Sequence, residues 1–318
     1  MPRIHTKTLV KQIQGDFFLK KCGTGKEIQW LWESCQGGRL KIRQRRLSSK
    51  FYPNTVSQFI RLCKWRCMGI PLQYLIGWQP FGSLKILCRP HVLIPRWETE
   101  EWVFDLGKCI LKQSPHYSDL KLVDLCTGSG CILLLLMKMT NMRNIFKNIC
   151  AVDVSPYALN LTRRNFTYNN INSKKRSIFQ VYYGDVLKSD MVFHLLPSGE
   201  KIDILTCNPP YISIESFQND VEDSVRIYEP HLALIGDLQF YQNLISVWLP
   251  NINSFVYELG SYKQYNYVKN ELLKWNQKYP NQIWSLGIKF DSNGKLRCVY
   301  GYTNKMKSIF QDYGQIII

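Results

Sequence analysis

The feature that most restricts the fold is a change of pattern near residue 118. Beyond it, short apolar runs alternate with stretches of helical period. LKLVDL (120–125) leads into an apolar helix to about Met139, and further strands are predicted at 149–154, 178–185 (IFQVYYGD), 201–207 (KIDILTC) and 254–259 (SFVYEL). Helices are predicted near 237–249 and 262–277, and Ser155-Pro156 reads as the cap and first residue of another. Strands separated by helices need crossover connections, which give a parallel sheet covered on both faces. WSLGIKF and KLRCVYGY flank Asp291-Ser292-Asn293-Gly294, so the chain closes with an antiparallel hairpin. The expectation is an α/β protein with a doubly wound, mostly parallel sheet of seven strands.

The residues before this pattern read differently. Residues 1–76 are helical and basic, with loops marked by Pro53 and Gly37-Gly38; residues 77–95, GWQPFGSLKILCRPHVLIP, alternate and end at prolines, predicting a β-hairpin linker to a domain over 96–318. Residues 1–70 hold 15 Lys+Arg against 3 Asp+Glu, which is +12 of the chain's +17. That charge suits RNA, a ribosome or an anionic protein surface, and equally a solvated helical face in a basic organelle proteome. The opening MPRIHTKTLVKQIQG carries no acid before Asp16, as in a mitochondrial import signal or an ordinary basic helix. The 11 cysteines are scattered without a Cys-x-x-Cys pair, which argues against zinc and for reduced, buried thiols. ILLLLM (132–137), the longest apolar run, is far short of the ~20 residues of a membrane span, so a soluble protein is expected.

In an open parallel sheet, ligands sit beyond the carboxyl ends of the strands. There the first strand runs into Asp124-Leu-Cys-Thr-Gly-Ser-Gly130, where Gly128 and Gly130 permit a tight turn and close backbone approach. Asp153 ends the second strand, placed to accept the hydroxyls of a ribose, and Asp185 ends the third, placed to meet an adenine amino group. There is no Gly-Lys-Ser/Thr loop and no third glycine in dinucleotide spacing. A ribose and an adenine without a pyrophosphate point to S-adenosyl-L-methionine.

The fourth strand stops on Asn208-Pro209-Pro210-Tyr211. Proline lacks an amide proton and has a fixed φ, so Pro209 and Pro210 end the ladder in a stiff turn. The Asn208 side-chain carbonyl and the Pro209 backbone carbonyl can together accept both protons of a planar NH2 group, and Tyr211 offers a flat face to pack on it. An amide or aromatic amine nitrogen is a poor nucleophile because its lone pair is delocalised. Positioning it supplies roughly 7–11 kcal/mol of a barrier, against ~1–3 kcal/mol for one hydrogen bond. No Asp, Glu or His is adjacent to the turn in sequence, so a strong base is not expected.

The stretch GIPLQYLIGWQPFGSLKILCRPHVLIPRWETE (69–100), then LVDLCTGSGCI, AVDVSPYAL, CNPPYI and EPHLAL, resembles in order the family of release-factor glutamine N5-methyltransferases, in its fungal mitochondrial branch. The resemblance implies a class I S-adenosylmethionine-dependent methyltransferase fold and methylation of the glutamine in the Gly-Gly-Gln loop of a class I peptide chain release factor, in the mitochondrial matrix or alternatively the cytoplasm. It implies that Cys126, Thr127, Gly128, Ser129, Gly130, Asp153, Asp185, Val186 and Asn208 hold the donor, with Arg96 and Thr99 at its methionine end. Asn208, Pro209, Pro210 and Tyr211 would hold the glutamine amide, and residues 1–76 the substrate. No metal, membrane or obligatory nucleic acid is implied. Three positions depart from the family pattern: Cys126 stands where glycine is usual, Trp97 replaces a proline, and EPHLALIGDLQFY is short.

Two other readings stay open. The same turn can grip a flipped base, as in adenine-N6 or guanine-N2 methyltransferases, which the basic N-terminal segment favours. A non-catalytic ribosome- or RNA-binding protein on a degenerate methyltransferase fold is the second. Intact Asp153, Asp185 and Asn-Pro-Pro-Tyr argue against it.

Overall fold

The computed structural model describes residues 25–37, 55–113, 116–140, 145–171, 178–188, 191–195 and 199–318. The import-like opening and 11 of the 15 cations in residues 1–70 lie outside the described residues. The chain divides into two compact units, Met1–Trp78 with Glu222–Tyr228, and Gln79–Val221 with Glu229–Ile318.

In the first unit, α1 (Gly25–Gly37), α2 (Thr55–Cys67) and α3 (Leu72–Ile76) bury Ile28, Leu31, Trp32, Phe59, Leu62 and Leu72 in one small core. Trp32 meets Phe59 edge to face at 5.2 Å, and Glu27 pairs with Arg66 at 3.2 Å. A short helix at Asp223–Tyr228 belongs to the same unit, with the Tyr228 hydroxyl donating to the Met68 carbonyl at 2.8 Å. Nine of the described cysteines are free thiols, as expected; Cys67 departs from that reading and is disulfide-bonded.

A hairpin, β1 (Trp78–Phe81) and β2 (Leu84–Leu87), starts at the last residue of the Met1–Trp78 segment and otherwise lies in the second unit, where α4 (Trp97–Gln113) follows. The parallel series is β3 (Leu120–Leu125), α5 (Cys131–Thr140), β4 (Phe146–Asp153), α6 (Pro156–Tyr168), β5 (Ile178–Tyr183), β6 (Ile204–Cys207) and β7 (Ser254–Glu258). After α7 (Tyr262–Lys278), the strands β8 (Trp284–Phe290) and β9 (Leu296–Thr303) form the antiparallel hairpin. The sheet order is β10-β8-β9-β7-β6-β3-β4-β5, with β3 to β7 parallel. Seven of these strands match the expected sheet. The eighth, β10 (Gln315–Ile316), adds an edge beside β8; at two residues it carries no readable period.

Other elements differ in their bounds. The helix expected near 237–249 is an α-turn at Gln239–Asn243, a π-turn at Leu244–Trp248 and a 3-10 turn at Leu249–Asn251. Trp248 Nε1 donates to Asn243 Oδ1 five residues back at 2.7 Å, a spacing that suits the wider turn, and Pro250 ends it. Strands β3, β6 and β7 are buried at every residue but one, Lys121, which explains their continuous apolar runs.

The hairpin is packed into the second unit: Phe81, Leu84 and Ile86 share a core with α4 and α5. Asn165 of α6, fully buried, accepts from the Leu87 N–H at 2.7 Å and donates to the Ser129 carbonyl at 2.9 Å. One amide thus ties the hairpin to the loop after β3. Asn165→Ala orphans both backbone groups and is expected to cost about 2–3 kcal/mol. A thermal melt that leaves the midpoint unmoved would show that these bonds carry no stability.

Candidate active site

The sheet changes direction of winding between β3 and β6. Leu125 pairs with Val152 of β4 on one side and Cys207 of β6 on the other, so Cys126 and Asn208 leave the sheet next to each other. That switch point is where an open parallel sheet leaves a crevice, and a cavity of about 260 Å³ lies there.

The loop after β3 supplies one wall through Cys126, Thr127, Gly128 and Ser129. It is fixed from below by Asp124, fully buried, which accepts from Thr127 Oγ1 at 2.6 Å and from Thr206 Oγ1 of β6 at 2.7 Å. Burial raises the Asp124 carboxyl to about 7, against the pull of the two hydroxyls. Cys126 sits at φ 52°, a left-handed conformation that costs a side-chain-bearing residue strain. Gly130 is not on the wall: at φ 79° it packs against α6, where an added Cβ would meet Thr162 at 2.8 Å.

Asp153 and Asp185, ending β4 and following β5, both reach the cavity, as does Val186. Asp153 Oδ2 accepts from the Gly128 N–H at 2.9 Å and Oδ1 from the Ser155 N–H at 2.8 Å. Burial raises its pKa although the backbone donors of Gly128, Val154 and Ser155 oppose the shift. Asp185 Oδ1 accepts from the Leu187 N–H at 3.0 Å, which orients the carboxylate.

The turn after β6 brings Asn208 and Pro210 to the wall, whereas Pro209 and Tyr211 lie off it. Backbone contacts clamp the turn: the Ile212 N–H donates to the Leu234 carbonyl at 3.0 Å, the Ile212 carbonyl accepts from the Gly236 N–H at 2.9 Å, and a Cβ on Gly236 would overlap the Pro210 carbonyl at 1.8 Å. Tyr211 was expected to present its ring to a ligand. Instead the ring packs on Gly260, its hydroxyl donates to Glu258 at 3.3 Å, and its carbonyl accepts from Gln264 Nε2 at 2.8 Å. It braces the turn from behind.

The segment before α4 forms the facing wall with Arg96 and Thr99. Arg96 pairs with the buried Glu229 at 2.6 Å, and Glu229 also accepts from the Ile94 N–H at 3.0 Å. Thr99 Oγ1 donates to Glu258 at 2.7 Å and accepts from Asn208 Nδ2 at 3.2 Å. Glu229 and Glu258 were not singled out from the sequence. Glu258 had a visible signal, an acid in the otherwise apolar run SFVYEL, and it lies beside the turn in space though distant in sequence. Among the described residues no group of three or more His, Cys, Asp or Glu is placed to hold a metal ion, and no helix is long and apolar enough to cross a membrane.

A doubly wound sheet with acids at successive strand ends and an Asn-Pro-Pro turn at its switch point has the architecture of a class I methyltransferase. Residues 105–250 match the family model for N-6 DNA methylases. The chain is 41% identical to the mitochondrial MRF1 N(5)-glutamine methyltransferase MTQ1 of Saccharomyces cerevisiae over 80% of each chain. It is 33% identical to the release factor glutamine methyltransferase of Bacillus subtilis, over 75% of this chain and 77% of that one. Among solved structures, the N-terminal domain of human METTL16 in complex with SAH aligns with 87% of this chain and 93% of that one at 18% identity, with a TM-score of 0.48. The chain belongs to the release factor glutamine methyltransferase family.

Asp124 gives the site a pH signature. Its carboxyl is raised in the folded state, so its stabilising contribution is complete below about pH 4 and is lost as pH rises through about 7. Relative to Asp124→Asn, the wild type is expected to gain up to about 4 kcal/mol between pH 7 and 4. Parallel melting curves across that range would contradict the assignment.

Proposed function

We propose that this chain transfers a methyl group from S-adenosyl-L-methionine to the side-chain amide nitrogen (N5) of the glutamine in the Gly-Gly-Gln loop of a class I peptide chain release factor, and that it does so in the mitochondrion. The observation that carries the reading is the convergence of Asn208 with the loop after β3 and the two strand-end acids on one cavity. Family membership supports it, as does the mitochondrial assignment of the yeast relative.

The cavity residues fit the donor. Each Asp153 oxygen has accepted one backbone N–H and keeps lone pairs for ribose hydroxyls, while Asp185 and Val186 border the adenine side. Cys126 to Ser129 give backbone approach, and Arg96 and Thr99 stand at the methionine end. When bound, the donor supplies an electrophilic methyl on its sulfonium sulfur. The chain's own task is positioning: Asn208 Oδ1 accepts an N–H of the glutamine amide and turns its nitrogen toward that methyl. Pro209 and Pro210 keep the turn stiff, and Tyr211 holds it from behind. Glu258 touches the turn through Tyr211, but its oxygens are committed to Thr99, Trp102 and Tyr211, so it does not serve as a free base. Orientation is the larger resource for such a reaction, at roughly 7–11 kcal/mol. The basic residues 1–76 are assigned to substrate binding.

Transfer of tritium from labelled donor is expected into purified release factor, at the glutamine when mapped by mass spectrometry, and not into RNA. Label confined to RNA would move the chain to the base-amine methyltransferases. Asn208→Ala is expected to bind donor within about threefold of wild type by calorimetry while turnover falls about a hundredfold or more. Equal loss of both contradicts its role.

A further inference from the structure

Asn208 can serve only if its amide faces one way. The two ends of an asparagine amide are nearly equal in size, so packing does not choose between them, yet one end accepts hydrogen bonds and the other donates. Turned over, Asn208 would present an NH2 group to the cavity and repel the amide protons it has to receive.

The structure contains a device that sets this orientation. Glu258, the last residue of β7, is 1% exposed. Its Oε2 accepts from Thr99 Oγ1 at 2.7 Å and from Trp102 Nε1 at 2.8 Å, and Oε1 accepts from the Tyr211 hydroxyl at 3.3 Å. Burial raises the Glu258 carboxyl, but its three donors oppose that shift and favour the carboxylate, which only accepts, so the single hydroxyl proton of Thr99 is spent on Glu258. What Thr99 turns toward Asn208, 3.2 Å away, is therefore lone pairs, and these admit only the NH2 end of the amide. The carbonyl oxygen is left for the cavity, which Asn208 lines.

We infer that Thr99 and Glu258 are positioning residues: the one-way chain of donors from Asn208 through Thr99 to Glu258 fixes Asn208 with its oxygen outward and so makes the site selective for a group that donates protons, the primary amide. This rests on the function proposed above. The relay reaches across the fold, since Thr99 lies on α4, Asn208 after β6 and Glu258 on β7. Trp102 and Tyr211 satisfy the rest of the carboxylate, so that it stays fixed.

The test uses the full chain, labelled donor and release factor. Thr99→Val keeps the shape of the side chain and removes the relay. It is expected to lower kcat, read at saturating donor, about tenfold and to lower the melting temperature about as much as Trp102→Phe does, since each takes one donor from Glu258, and Thr99→Ser is expected to restore most of kcat. Trp102→Phe takes a donor from Glu258 without touching Asn208; it should lower the melting temperature and leave kcat within about twofold. If Thr99→Val does not fold, Thr99→Ala carries the same expectation. A Thr99 variant that binds donor and keeps wild-type kcat overturns the relay alone. A drop in kcat that tracks the melting temperature across all the variants, Trp102→Phe included, overturns it as well. A wild-type chain that methylates no release factor removes the proposed function first, and the relay with it.

Discussion

Three carboxylates taken out of water organise the catalytic unit. Burying a charge is costly unless it finds donors, and Asp124, Glu229 and Glu258 find theirs on segments far away in sequence. Asp124 draws the loop after β3 and strand β6 together through Thr127 and Thr206. Glu229 holds Ile94 and Arg96, and Glu258 holds α4 and the turn after β6. Each wall of the cavity is therefore attached to another wall by a bond it cannot lose cheaply.

This arrangement suits a reaction that needs geometry more than acid-base power. A primary amide has to be held with its nitrogen in line with the methyl donor, and a site built on strand ends of a parallel sheet is rigid enough to do so. The two prolines deny the turn any ladder partner, while Gly236 and Gly260 let the backbone and the Tyr211 ring sit against their neighbours without a side chain between. Tyr211, kept protonated by its burial and by the Glu258 charge, is a fixed donor there.

Much of this is legible in the sequence. The alternation of apolar runs with helical stretches located β3 to β9, because a buried parallel strand must be apolar at nearly every position. The loop after β3, Asp153, Asp185 and Asn208 were identifiable because strand ends are where side chains can reach a ligand. What escaped was long-range or irregular. The strand β10 was too short to show a period, and the π-turn at Leu244–Trp248 follows from a Trp248–Asn243 contact that no propensity reports. Tyr211 was given a ligand-facing ring when its surroundings are Gly260 and Glu258, and Pro209 and Gly130 proved to lie behind the wall.

By itself, the sequence determined the alternation of elements, the stiff turn and the chemical types present at each strand end, since these depend on periodicity and on the local properties of proline, glycine and acids. Only the tertiary structure decided which of those groups share a cavity and which way each polar group faces. Hydrogen-bond direction at Asn208 depends on Thr99 and Glu258, 109 and 50 residues away, and a donor's direction is settled by its partner's remaining proton, a property of the assembled network.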